Sequence, residues 1–308
     1  MGRVDTDPLS TDTSSTTEPT SQNRSSYAMN VQKLLRTSLL SVLALLLVGG
    51  LATAQAQVDR VVDASDNTGN FTTIQGAIDA ADPNEVIEVK ATGPYNENLT
   101  VDVSGLTIRR DPDGDRPVVN GGTSGPAFDI TTDGVEIDGF EIRRELGSGA
   151  SNNKFVINAG TRTGGSLTIT DNVIIGEITS NSADEDLFGV RSNVTADITG
   201  NTFESENSKE DPDDTMFGVK ASNSGAGGSV IGIDDSGDGE GNTFKGMRVG
   251  LQYSDADNIT VRGNNFTNIN DEEVKFFNDS GVVLEATVES NDFGNSDGSG
   301  AVGEGVVF

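Results

Sequence analysis

The chain has 308 residues, with 20 Lys+Arg against 49 Asp+Glu and a formal net charge of −29 at pH 7. A surface this acidic repels nucleic acid and anionic lipid headgroups. The chain has no His, Cys or Trp, which removes imidazole bases, thiolate nucleophiles, disulfides and Cys/His zinc sites. Only carboxylates, Lys, Arg, Tyr or a bound cation remain for chemistry. The low Lys count and Asp-rich loops point to a protein adapted to high salt, because self-repulsion destabilises a compact state unless it is screened.

Residues 1–28 are rich in Ser and Thr with no apolar period, and read as a disordered or untranslated leader, since Met29 offers a second start. From Met29 the order is Lys33 and Arg36, an apolar run Leu39–Leu51, then Ala54-Gln55-Ala56. That is the layout of a secretory signal peptide over 29–56. The run falls short of the about 20 apolar residues that cross a bilayer, so the exported protein would begin at Gln57 and would not span the membrane.

The remainder, 57–308, reads as one domain. A strand is predicted near Val58–Val62. A short helix follows Thr72-Thr73, with Ile74, Ala77, Ile78 and Ala81 on one face and Pro83 closing it. Beyond it one phrase recurs. It reads Leu167-Thr168-Ile169-Thr170-Asp171-Asn172-Val173-Ile174, returns at Ala196–Phe203, Ile259–Phe266 and Ala286–Phe293, is split by an insertion at Ile231–Phe244, and is degenerate at Val135–Ile142. Each copy alternates apolar and polar residues, then closes on a turn residue and, in all but the degenerate copy, an Asn. Central residues Ile137, Ile169, Ile198, Ile233, Val261 and Val288 follow at intervals of roughly 30 residues. Such short β-branched units cannot bury an apolar face alone, so they stack. A second phrase accompanies each copy: Phe155-Val156-Ile157, Phe188-Gly189-Val190, Phe217-Gly218-Val219, Val249-Gly250-Leu251 and Val274-Lys275-Phe276.

These repeats predict an all-β solenoid whose six central residues form an inward column and whose Asn172, Asn201, Asn242, Asn264 and Asn291 stack at a bend. The pattern resembles the right-handed parallel β-helix of the pectin-lyase-like superfamily, with the short helix as an N-terminal cap. Thr73-Ile74-Gln75, Ala77-Ile78, Glu88-Val89-Lys90 and Gly93-Pro94-Tyr95-Asn96-Glu97 are similar to the opening of pectinesterase-type proteins, where the segment is structural. The family's Arg-Pro-Trp motif is absent, and Asp184-Glu185-Asp186-Leu187-Phe188-Gly189 is a repeat position rather than an aspartate motif. The His on which polygalacturonases of this fold depend is also missing.

Two candidate sites stand out. The residue after each second phrase forms a column of Asn158, Arg191, Lys220 and Gln252, with Tyr253 beside it as a surface that could stack on a sugar. Asp234, Ser236 and Asp238 have the alternating oxygens of a calcium loop, but Lys245 stands where an EF-hand needs its bidentate Glu. Calcium is therefore the one cofactor considered, and none is required. The long loops 176–186 and 204–216 are strongly acidic and should leave the same flank. The expected function is a secreted or cell-surface protein of a halophilic microbe that binds polysaccharide or a cell-envelope glycan without cleaving it. The alternative is a polysaccharide-active enzyme, a calcium-assisted polyuronate lyase or pectinesterase-like protein. The apolar ending Val306-Val307-Phe308 suggests that the last edge is covered by a partner or by further sequence.

Salt adaptation has a direct readout. The Debye length falls from ~10 Å at 0.1 M to ~3 Å at 1 M, so the melting temperature should rise strongly from low salt to molar NaCl. A flat profile across that range would refute the halophilic reading.

Overall fold

Among residues that follow the recurrent phrase, the chain turns three times per coil, and like strands of successive coils pair in parallel. A computed structural model describes residues 57–65, 71–146, 154–162, 164–178, 187–206, 216–222, 224–234, 237, 239–277, 285–294 and 305–308. The expected leader (1–28) and expected signal peptide (29–56) lie outside these residues. Within them the strands form three parallel sheets of nine, seven and eight strands, the architecture of an all-β, right-handed parallel β-helix. The recurrent phrase supplies the first strand (Ser166–Thr170, Thr195–Thr199) and the second (Val173–Ile178, Thr202–Ser205) of each coil. The third comes from the second phrase (Leu187–Ser192, Met216–Ala221).

The inward column of the first sheet runs Ile108, Ile137, Ile169, Ile198, Ile231, Val261, Val288 in pairing register. Ile231 therefore replaces the expected Ile233. Alternation permits either, because a two-residue slip keeps every side chain on its face. The choice falls on Ile231 because Gly232, at φ +97°, turns the chain out of the strand Val230–Gly232. Ile233 is left half-buried. The third strand Glu272–Phe277 departs from expectation for the same reason: Val249 pairs with Glu272 and Leu251 with Val274, so the equivalent phrase is Glu272-Glu273-Val274.

The expected Asn column is a continuous amide ladder. The Oδ1 of Asn201 accepts from the backbone N of Asn172 at 2.9 Å and from its Nδ2 at 3.1 Å. Asn242 does the same for Asn201, Asn264 for Asn242, and Asn291 for Asn264, all at 2.9–3.0 Å. Each Nδ2 also donates to a first-strand carbonyl of the preceding coil, as Asn201 does to Ile169 at 2.8 Å. Before Asn172, Asn201, Asn264 and Asn291, a residue in the left-handed region (Asp171, Gly200, Gly263, Ser290, φ 51–69°) makes the bend. Inside it, Phe203, Phe244, Phe266 and Phe293 stack with centroids 4.7, 4.8 and 5.3 Å apart.

Third-strand glycines fit against these rings. A Cβ on Gly218 would lie 2.6 Å from the Phe244 ring, and one on Gly250 2.6 Å from that of Phe266. In the following coil this place is taken by Glu273, which is 2% exposed and has an Oε2 with no partner. Burial pushes its carboxyl above the usual range, and the neighbouring Glu272 charge adds to the rise.

The predicted helix is Ile74–Asp79, capped by the Thr73 side chain, with Ile74, Ala77 and Ile78 buried against the first coils. The Glu97 carboxylate accepts from the backbone N of Ile74 at 3.0 Å and of Gln75 at 2.9 Å, which satisfies two N–H groups that a helix start leaves unpaired. The structural segment Gly93–Glu97 thus fastens the cap to the solenoid.

Asn201→Ala should be costly. It strands buried donors on Asn172 and acceptors at Ile169 and Thr199, and loss of buried hydrogen-bonding partners costs about 1–3 kcal/mol each. A fall in stability of about 3 kcal/mol or more in a urea melt is expected; a neutral variant would deny the ladder its role. Glu273 gives a pH test. Its folded carboxyl is raised above the unfolded value, so the folded state holds the proton longer and this contribution is lost as pH rises through the folded value. Melting temperature should therefore decline above the ordinary carboxylate range, and Glu273→Gln should flatten that decline.

Candidate functional site

The third sheet carries the side chains that the sequence singled out. Its strands would alternate simply but for one local break, at which two successive residues face inward: Gly189 with Val190, and Gly218 with Val219, both pairs buried. Pairing stays one-to-one through the break, which leaves Phe188 and Arg191, then Phe217 and Lys220, on the outer face. Asn158 pairs with Arg191, Arg191 with Lys220, Lys220 with Gln252 and Gln252 with Lys275. The predicted column exists and extends one coil further, to Lys275. At its other end Asn158 Nδ2 donates to Asp129 Oδ1 at 2.7 Å.

A second outward column, of Phe155, Phe188, Phe217 and Val249, lies beside it as an apolar cluster separate from the core. Adjacent rings are tilted, with centroids 5.4 and 4.9 Å apart. Each ring is covered by a cation from a following coil: Arg191 over Phe155 at 4.9 Å, Lys220 over Phe188 at 4.5 Å and Arg248 over Phe217 at 5.7 Å. The ring faces hold the charged ends by their quadrupole and shield the stems. Arg248 also pairs with Asp271 at 2.6 Å, and Lys275 with Glu272. Arg191 has no carboxylate within ion-pair distance among the described residues, and its stem lies on Gly160, where any Cβ would collide with it. The result is a strip of cations and amides at strand spacing, ~4.8 Å, on a chain whose net charge is −29.

Tyr253 is not part of this strip. The break in alternation puts Gln252 outside and Tyr253 inside, where it is 1% exposed and 6.2 Å from the Phe276 ring. Its phenol, pushed up by burial, offers no face to a sugar. The sequence reading missed the aromatic column, because Phe at a second-phrase position looks like core, and it missed Arg248 and Lys275. The signal for Lys275 was present once the phrase is set at Glu272-Glu273-Val274.

Of the calcium loop, Asp234 is described and its carbonyl accepts from Arg262 Nη1 at 2.6 Å. Asp197 lies close enough that burial and the Asp234 charge raise its carboxyl. Ser236 and Asp238 fall outside the described residues, as do 179–186 and 207–215 of the acidic loops. The described acids next to those loops are partly neutralised: Glu204 pairs with Lys245 at 2.6 Å and Glu206 with Arg143 at 3.1 Å.

No family model matches this chain, and neither does a curated protein. Among solved structures it is similar to the pectin methylesterase from Aspergillus niger, at 12% identity over 81% of this chain and 90% of that one, with a TM-score of 0.36. A likeness this distant assigns no activity.

Proposed function

We propose that the protein is an exported, salt-adapted β-helix of the cell surface or medium, which binds glycan along the outer face of its third sheet without cleaving it. The observation that supports this reading is the column Arg191, Lys220, Gln252 and Lys275, in register on consecutive coils. Amide, guanidinium and ammonium groups donate to hydroxyl and carboxylate oxygens, and a rigid sheet presents them at fixed intervals without an ordering cost at binding. Cations in the strip suit an acidic polysaccharide. Lysis of such a chain would need a positioned base, a proton donor and charge neutralisation of the uronate, whereas a line of similar donors supplies repeated binding contacts. Molar salt would screen the surrounding carboxylates and leave short-range contacts in force.

The experiment is a glycan array at molar salt, with and without calcium, followed by titration of the strongest acidic glycan. Arg191→Ala and Lys220→Ala should each weaken binding roughly tenfold, the equivalent of one charge-assisted contact, with little change in melting temperature. Unchanged affinity in both variants would remove the site from this face. Appearance of unsaturated product, lost in Lys220→Ala, would replace the binding reading with a lyase that uses this strip.

A further inference from the structure

Asn-X-Thr is the acceptor sequence for N-linked glycan on exported chains. Four such triplets lie within the described residues, at Asn98, Asn193, Asn258 and Asn265, and the fold treats them differently. Asn193 is 7% exposed, with its Nδ2 on the Gly160 carbonyl at 2.7 Å and its Oδ1 accepting from the Ser222 amide at 3.2 Å. Asn98 is exposed, yet its Nδ2 donates to the carbonyls of Gly125 at 3.0 Å and Pro126 at 2.8 Å. A sugar on either nitrogen would break a structural hydrogen bond, and at Asn193 it would also have to enter the interior. Asn265 accepts from the Thr267 hydroxyl at 3.1 Å and sits in a strand paired on both sides.

Asn258 stands apart. It is exposed, at φ 56°, in the turn that precedes the first-sheet strand Ile259–Arg262. Asp257 holds that turn in place. Its Oδ1 accepts from the amides of Asn258 at 2.9 Å and Glu285 at 2.7 Å, and its carbonyl accepts from Gly228 N at 2.9 Å. The Asn258 side chain, by contrast, makes no hydrogen bond among the described residues, and neither does the Thr260 hydroxyl. In the preceding coil the equivalent place is held by Gly228, at φ 75°. Glycine adopts this conformation at least cost, so the backbone gives no reason for an Asn here. Of the four triplets this is the one whose two polar side chains the fold leaves idle.

We propose that Asn258 is a glycosylation site, modified by transfer of an oligosaccharide from a polyprenyl pyrophosphate carrier. Its Nδ2 bonds to the anomeric carbon, and the bond from that carbon to the pyrophosphate oxygen breaks. The departing lipid pyrophosphate keeps the electron pair, and one amide proton goes to solvent. Thr260 supplies the hydroxyl by which the triplet is read. Ile259 is 1% exposed and Thr260 lies in a paired strand, so transfer precedes closure of this coil. The finished fold then admits a glycan at the outward turn and rejects one at Asn193. The site rests on the reading that the chain is exported, because transfer from such carriers takes place outside the cytoplasm.

The test is peptide mapping by mass spectrometry on the full chain purified from its own cells and their medium. A glycan mass should appear on the peptide that contains Asn258 and be absent from the one that contains Asn193. Asn258→Gly, which keeps the turn, and Thr260→Val, which keeps the strand, should each fold and lose that mass. Thr260→Ser should retain it. Protein that begins at Gln57 with a bare Asn258, a glycan that persists at Asn258 in Thr260→Val, or a glycan on Asn193 would each overturn the proposal. Bare protein that keeps residues 29–56 would refute the export reading instead. The chain is then sent out behind a signal sequence that the same cells cleave: glycan at Asn258 of that product upholds the site, and a bare Asn258 overturns it.

Discussion

One amide ladder sets the geometry of the whole solenoid. At the bend between first and second strands the backbone changes direction in every coil, and its polar groups lie where neither sheet can pair them. The Asn172–Asn291 column answers this by having each side chain accept from the amide behind it and donate to the carbonyls of the coil before. Since each Asn depends on its neighbours above and below, the coils are locked in axial register. That register then decides which side chains align everywhere else on the molecule. Buried polar networks stabilise only when every member is satisfied, and this one is satisfied at each interior step.

Packing inside the ladder has a matching economy of volume. Phe203, Phe244 and Phe266 stack almost parallel, and the opposite wall is cut back to glycine at 189, 218 and 250 to admit them. Those same glycines lie at the break in the third strand's alternation, so a core requirement fixes the outer face. Phe188 and Arg191 emerge together because Gly189 and Val190 are both needed inside. Where glycine gives way to Glu273, the core acquires a buried carboxyl, and burial raises its pKa.

Charge is handled differently on the three faces. Exposed acids on the second sheet pair with Arg143 and Lys245, contacts worth little individually. On the third sheet the cations rest on aromatic rings, and Arg191 makes no ion pair among the described residues. Arg144 goes further, with a guanidinium buried at a corner and an Nε left unsatisfied. In a chain with more than two acids for each base, Arg191 and Arg144, which have no carboxylate partner among the described residues, are the least expected feature.

The sequence by itself determined the repeat, the strand-turn-Asn phrase, the capping helix and the outward column through Asn158, Arg191, Lys220 and Gln252. Each follows from local alternation and from residue types that serve one purpose in a turn or cap. Local alternation has a period of two, however, and so could not separate Ile231 from Ile233 or Glu272 from Val274, since either choice leaves the faces unchanged. Tertiary structure decided those registers through Gly232 and through the pairing of whole strands. It also decided that Tyr253 is core while the Phe155–Phe217 column is not, because two successive inward residues reverse inside and outside after them. The buried, half-partnered Arg144 was invisible for a similar reason: a charged residue in a strand reads as surface until its neighbours are known to be glycines facing the interior.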